Sequence, residues 1–365
     1  MFELWLTTDA GLRLALLDYT LGFSASRIAN GIGFFDGQFA VDFDTSFIKP
    51  DFMIQVWLYE KLWCCYFLRK WRFYTEDNVE YLDIAGPCQN DLLRRRIVAA
   101  YAGGAVAKKS IHADDMMKEV VTQSMLDTAE PTPDAGTRAW ANLTVAPDDS
   151  LGPSIQKAFA WDKLLVPSGG GVLPELAQAA EEEGTPVYFD IVPDVVAGAS
   201  ISFLFQTYIN QPGLDVSDRV TFSKENGNLK DPYYEENWTD EENYVYAGGQ
   251  NQGVARNVQQ VYDSARYGVS QWGRCEGFAD ARNQSAGDEV KAAGYAYLWN
   301  HKPKKRFGGV PLDTEGTQFG RDWDFGYRVR AEYRGVSYTP IIKTLMTGAG
   351  SDGKPFVQAR LECSE

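Results

Sequence analysis

Two stretches far apart in this chain are written on one plan. The first runs DFMIQVWLYEKLWCCYFLRKWRF from Asp51, and the second runs DFGYRVRAEYRGVSYTPIIKTL from Asp324. Each opens on Asp-Phe and has three residues between that Phe and a Val, so Asp51, Phe52 and Val56 match Asp324, Phe325 and Val329. In the second copy Val329, Ala331 and Tyr333 alternate with Arg328, Arg330, Glu332 and Arg334. That is the period of a half-buried antiparallel strand, and no helix can segregate it. Gly335 supplies a turn, YTPIIKTL returns, and KPFVQARLEC adds a further strand. The first copy follows the same order with DFMIQVWL, CCYFLRKWRF and VEYLDIAG. A shared order of strand and turn is the mark of a repeat. It predicts two related β-domains that superpose over Asp51–Gly86 and Asp324–Cys363.

What lies between the copies is written differently. Up to Gly104 the chain reads as short strands, with Phe39, Val41 and Phe43 on one face of GQFAVDF. NDLLRRRIVAAY is helix-like, with Asn90 or Asp91 as its N-cap. From Ala105 helices and strands mix. ADDMMKEVVTQSML starts on acidic Asp114 and Asp115, VLPELAQAAEEEG stops at Gly184, and PVYFDIV and ISFLFQTY are strands. After Leu214 the β pattern resumes, and RNVQQVYDSARYGV, which could form strand or helix, reads better as a strand from Val258, Val261 and Tyr262. The helix SAGDEVKAAGYAYLWN carries a Ser285–Asp288 capping box and an apolar stripe of Val290, Gly294 and Tyr297 or Leu298. The expected class is mainly β with an α+β insert: two antiparallel β-barrel domains separated by a small α/β domain. The boundaries are 1–104, 105–213 and 214–365, the last with a helix-containing insertion at 250–305. A length of 365 residues agrees, since single cores stop growing before that size.

Charge removes some functions. Fifty acidic residues against 35 Lys and Arg give a net charge of −15, the opposite of a nucleic-acid-binding face. The five Cys include no CxxC pair, and Cys64 and Cys65 point to opposite faces of one strand, so free thiols in a reducing compartment are expected. MFELWLTTDAGLRLALLDYT has no basic start and holds Asp9, Arg13 and Asp18, unlike a signal peptide. No apolar run is long enough to span a membrane. A soluble chain made in a cytoplasm is the expectation.

Catalytic signatures are weak. His112 and His301 lie in unrelated segments and give no nucleophile pair or zinc site. Asp322, Trp323 and Asp324, or Asp240, Glu241 and Glu242, could be offered as glycosidase acids, which need two carboxylates across a bond. Asp324, however, opens a repeat strand whose counterpart, Asp51, has no acidic neighbour. The glycine run Ser168–Gly171 lacks the Lys-Ser/Thr of a phosphate loop, and Gly31 and Gly33 are followed by Asp36 where a third glycine belongs. No catalytic, cofactor or metal residue is assigned. Arg94, Arg95 and Arg96 form a basic cluster on an acidic chain: either a solvated helix face or a contact with an acidic neighbouring subunit.

Several segments together carry a resemblance: SRIANGIGFF, FDTSFIKPDFMIQVW, LDIAGPCQNDLLRRRIVAAYAGG, YVYAGGQNQGVARNVQQVYDSARYG, GRCEGFADARN and RDWDFGYRVRAEYRG. In this order the chain resembles the tail hub proteins of siphophages. The resemblance implies two tail-tube-like β-barrels per chain and a homotrimer closing the distal end of the tail. Its implied partners are a sixfold distal tail protein ring, the tape measure protein and threefold tip or fibre proteins. It places the chain at the virion tail tip after assembly in the host cytoplasm, with DNA passing its lumen unbound. Many relatives continue into a lysin or receptor-binding extension. Here VQARLECSE follows the last expected strand, so those roles are expected on other proteins. The alternative is a tail-associated cell-wall hydrolase or carbohydrate-binding protein. Because a genome is a polyanion, an acidic lumen is expected, with Glu235–Glu242 one candidate and Arg94–Arg96 on outer or inter-subunit faces.

Overall fold

The structure is a computed structural model and describes residues 2–18, 21–41, 45–46, 48–99, 109–126, 138–196 and 200–364. Phe43 and the end of IVAAY lie outside the described residues. Strand Phe2–Thr7 lies between Arg13–Leu16 and Met53–Leu58, and Lys61–Phe67 completes a four-stranded antiparallel sheet. A six-stranded antiparallel sheet runs in the order Pro355–Ala359, Thr344–Ala349, Phe23–Ile28, Phe34–Ala40, Val79–Pro87 and Lys70–Glu76. The two sheets meet through aromatic rings. Phe2 approaches Phe23 edge-on at 5.3 Å, and Phe35 meets Tyr66 at 5.5 Å. Among the described residues the sheets are open and none closes on itself.

Both copies of the repeat form two successive hairpins. In the first, Met53–Leu58 pairs with Lys61–Phe67 and Lys70–Glu76 with Val79–Pro87. In the second, Arg330–Tyr333 pairs with Val336–Tyr338 and Thr344–Ala349 with Pro355–Ala359. Tight turns set three of these registers. Tyr59–Glu60, Asp77–Asn78 and Arg334–Gly335 take positive φ at both positions, the turn whose twist matches that of its strands. One expectation needs correction. CCYFLRKWRFY is not a single strand: it breaks at Leu68–Arg69, where the chain turns the corner from the four-stranded to the six-stranded sheet. Gly86 faces that corner. A Cβ there would lie 1.7 Å from the Phe67 carbonyl oxygen, so no side chain fits.

Spatial grouping differs from the stretches 1–104, 105–213 and 214–365. Strand Thr344–Ala349 pairs with Phe23–Ile28, and one core runs from Met53, Cys65 and Phe67 to Phe203 and Phe205. The chain divides into a unit of Met1–Pro232 and Gly309–Glu362 and a unit of Tyr233–Gly308 with the chain end from Cys363. In the first unit, helices Ala113–Met125 and Val172–Glu182 cover the strands Val187–Val196, Ser200–Ile209 and Leu143–Val145. Asp91–Arg94 makes only one helical turn, and Asn90 stands at its N-cap without a side-chain capping bond. Its amide is used elsewhere: Nδ2 donates to Gly31 O and Oδ1 accepts from Ile191 N.

A carboxylate clamp ties the start of helix Ala113–Met125 to the loop before Gly152. Asp115 accepts from the backbone N–H groups of Asp149 and Ser150 and from the Ser150 hydroxyl, at 3.0–3.1 Å. Burial pushes its pKa up, but these donors outweigh that and hold it below the ordinary 3.8. A depressed carboxylate pKa stabilises the fold above the unfolded value, and the gain is lost as pH falls through the folded one. Asp115→Asn is therefore expected to cost about 1–3 kcal/mol at neutral pH and to flatten the acid limb of stability. Urea melts from pH 7 down to pH 3 check this; an unchanged limb would remove the clamp.

In the second unit, Tyr244–Gly248 lies between Val258–Tyr262 and Glu276–Asp280. Helix Gly287–Asn300 lays Val290, Gly294 and Leu298 on Val245, Ala247 and Val261. The stripe is the expected one, with Leu298 rather than Tyr297 buried. The capping box is not formed: Ala286 is the N-cap and offers no side-chain bond, which puts Ser285 one position too early. Asp288 and Glu289 still favour the start of the helix electrostatically.

Candidate assembly surfaces

Helical geometry ends before the arginine cluster does, and its three members take different surroundings. Arg94 pairs with Asp91 and stays 40% exposed. Arg95 folds inward, bonds Asp91 and Asp51 at 2.8 Å each, and stacks on Phe67 at 4.7 Å. Arg96 lies over the Trp140 ring at 3.8 Å and donates to the Arg138 carbonyl. The sequence therefore marks the right region, but these partners are distant in the chain. Arg138, which the sequence did not single out, completes the group by donating to Ile97 O at 2.7 Å.

The six-stranded sheet carries a polar outer surface. Ser24, Asp36, Gln38, Lys70, Arg72 and Asp83 line a cavity of about 570 Å³ on it. Arg72 is neutralised by Asp83 at 2.6 Å, and Gln38 donates to both Asp83 and Tyr74.

A buried ionic group ties the first unit together. Arg27 on strand Phe23–Ile28 meets Asp190 on Val187–Val196 at 2.6 Å and stacks on Phe325 at 4.3 Å. Burial opposes the Arg27 charge, and Asp190, Cys64 and Asp324 together more than offset it. Asp324 accepts from the Trp63 indole at 3.0 Å, and its pKa is raised by burial despite nearby Arg27. Among the described residues this joins both copies of the repeat.

Asp322 and Glu241 are similarly occupied. Asp322 accepts from Gln318 N, and Trp323 is fully buried with its indole N–H on Thr317 O. It offers no face to a sugar. Glu241 pairs with Arg266 at 3.0 Å, whereas Glu242 Oε2 is buried without a hydrogen-bond partner among the described residues and Asp240 is exposed. His112 Nδ1 contacts Gly152 O, and His301 stacks on Tyr297. Ser168 and Gly169 line a second cavity, of about 490 Å³, beside helix Val172–Glu182, with no lysine in its lining. Among the described residues no three His, Cys, Asp or Glu converge as metal ligands.

This arrangement of open sheets has the fold of solved phage tail proteins. The chain is similar to the 43 kDa tail protein of prophage MuSo2 from Shewanella oneidensis, at 12% identity, TM-score 0.56 and 98% coverage of both chains. It is also similar to a tail protein from Neisseria meningitidis MC58, at 11% identity, TM-score 0.51 and coverage of 99% and 96%. Prophage tail protein gp18 from Listeria monocytogenes EGD-e matches at 10% identity, TM-score 0.52 and coverage of 99% and 94%. No curated protein matches the sequence. Over residues 66–361 the chain belongs to the Siphovirus ReqiPepy6 Gp37-like protein family. It is a phage tail protein of the virion.

Proposed function

We propose that this chain is a structural, non-enzymatic hub subunit closing the distal end of a siphophage tail. It works as a homotrimer that adapts the sixfold tail to a threefold tip. The observation that carries this is the placement of the repeat. Its two outer hairpins flank Phe23–Ile28 and Phe34–Ala40 in one sheet, leaving Lys70–Glu76 and Pro355–Ala359 as edges. Free edges are where another chain can pair. Two related halves per subunit, each completing a tail-tube-like barrel in the ring, give six similar positions around a threefold axis. The stretches 1–104 and 214–365 supply those halves, and 105–213 sits between them in sequence. The distal tail protein ring, the tape measure protein and the tip or fibre proteins are the neighbours of this reading, at the tail tip, after assembly in the host cytoplasm. Arg94, the most open of its cluster, serves the subunit boundary.

DNA leaves through the lumen without sticking. The polar sheet surface, where Asp36 and Asp83 are balanced by Lys70 and Arg72, offers no excess positive charge to hold DNA, and Glu235–Glu242 is the acidic candidate. Electron microscopy of the purified protein and of assembled tails tests the reading. A threefold ring with a lumen of net negative charge is expected. Tails with no threefold ring containing this chain would sink the hub; a basic lumen would sink only the repulsive wall.

A further inference from the structure

We propose that the open face of the three-stranded sheet in the second unit is a binding platform for an uncharged glycan of a bacterial surface. This adds a binding role to the hub reading and does not rest on it. Helix Gly287–Asn300 covers one face of that sheet. The pairing register lays out the other. Tyr244 stands between Tyr262 and Glu276, and Tyr246 between Gln260 and Phe278. Tyr262 and Phe278 are each 49% exposed, and Tyr267 folds back edge-on to Tyr244 and Tyr262. On the turn leading into Glu276–Asp280, Trp272 is 82% exposed. Its indole meets no ring, cation or hydrogen-bond partner among the described residues. The turn is nonetheless pinned. Fully buried Asn243 donates to Gly273 O at 2.7 Å and accepts from Cys275 N at 3.0 Å, just after Trp272.

An indole held out in water forgoes its burial, and an exposed aromatic patch of this kind marks a contact site. Charge narrows what the contact is. Arg274 lies over Tyr244 at 3.7 Å and pairs with Glu276 at 2.7 Å. Arg256 lies over Gly248, where a Cβ would meet its Nε at 2.6 Å, and pairs with Asp280 at 2.5 Å. Each of these cations has its own acid, so the face attracts neither a polyanion nor a polycation. Residues 233–308 hold nine Lys and Arg against ten Asp and Glu, nearly neutral in a chain of −15. Size narrows it further. Three five-residue strands, about 4.8 Å apart and rising about 3.4 Å per residue, give roughly 250 Å². A stable protein–protein contact takes about 800 Å² from each partner. The face is too small for that and suits a short run of sugar rings, with Tyr262 and Phe278 about 12 Å apart on its diagonal. A pyranose packs its C–H face on an aromatic ring and needs polar partners for its hydroxyls. Those partners are already fixed: Gln260 accepts from Tyr244 OH and Arg274 donates to Tyr246 OH, both at 3.0 Å.

The test uses the full chain. Labelled protein is read on an array of neutral hexose, deoxyhexose and N-acetylhexosamine oligomers, with uronate- and phosphate-bearing glycans as anionic members. Wild type should bind neutral members, and calorimetry should repeat this with the best of them in solution. Trp272→Ala should weaken binding about tenfold or more, and Trp272→Phe should fall between. Tyr295→Ala removes an exposed ring from the helix on the opposite face and should match wild type. All three sites are at the surface, so each variant should keep the wild-type melting temperature. An array on which no neutral member binds overturns the proposal. So does binding confined to anionic members, or equal binding by wild type and Trp272→Ala. Polythymidylate and sedimentation supply two further arms. Without glycan binding, retention of polythymidylate that Trp272→Ala loses would make this a nucleic-acid face. Self-association lost in the same way would make it a face for a second copy. Either result overturns the glycan platform, and each leaves the hub reading standing.

Discussion

Asp190→Ala should destabilise the first unit by about 3–5 kcal/mol, the cost of leaving a buried guanidinium without its counter-ion. Arg27 and Asp190 are only 18% and 9% exposed and 2.6 Å apart, so solvent cannot substitute for the lost carboxylate. The remaining neighbours do not replace it. Phe325 offers a ring face at 4.3 Å, and Asp324 is committed to the Trp63 indole and the Phe325 N–H. Replacing both partners, Arg27→Met with Asp190→Leu, should recover much of the loss, because desolvation of the pair offsets most of its attraction. Tyr208 gives an independent readout. Burial, with Asp190 adding to it, pushes its phenol up to about 12. In Asp190→Ala that titration should move down, and in the double variant, which also removes the opposing Arg27 charge, it should move less. Urea melts in which Asp190→Ala loses less than about 1 kcal/mol would mean that the ion pair is replaced by water.

Trp323→Ala should be comparably damaging, at about 3–5 kcal/mol. Trp323 is fully buried, edge-on to Phe222 at 5.7 Å and tilted against Phe319 at 5.3 Å. Removing it opens a cavity and strips Thr317 O of its donor. Trp323→Phe keeps a ring and loses the bond, so it should cost about 1–3 kcal/mol. The contrast matters because DWDF also reads as a sugar platform. If Trp323→Ala folded normally and a glycan array then lost a signal, the packing role would be wrong.

The strands were legible where alternation was strong. In Arg330–Tyr333 buried Ala331 follows half-buried Arg330, and hairpin turns fall at Tyr59–Glu60 and Arg334–Gly335. Helices with a clean apolar stripe, such as Val172–Glu182, stand where the pattern put them. What stayed hidden was non-local. Nothing near Ile28 in sequence announces Thr344 as its partner. The corner at Leu68–Arg69 interrupts a run whose composition is strand-like throughout. The second unit begins at Tyr233, not near 250, because the chain enters and leaves it inside the ordinary strands Leu229–Asn237 and Lys304–Pro311. In the arginine cluster residue type pointed to a contact, but the helix ends at Arg94. Phe67, Trp140 and Arg138 could not be found from spacing.

The pairing of Phe23–Ile28 with Thr344–Ala349 also sets a timetable. A ribosome delivers the first strand long before its neighbour. Throughout elongation one side of Phe23–Ile28 stays bare, and long-range strand pairing of this kind is slow and exposed to misassociation. Only once Pro355–Ala359 has emerged can the six-stranded sheet zip from Lys70–Glu76 through to its far edge. Prematurely terminated products would keep an unsealed seam.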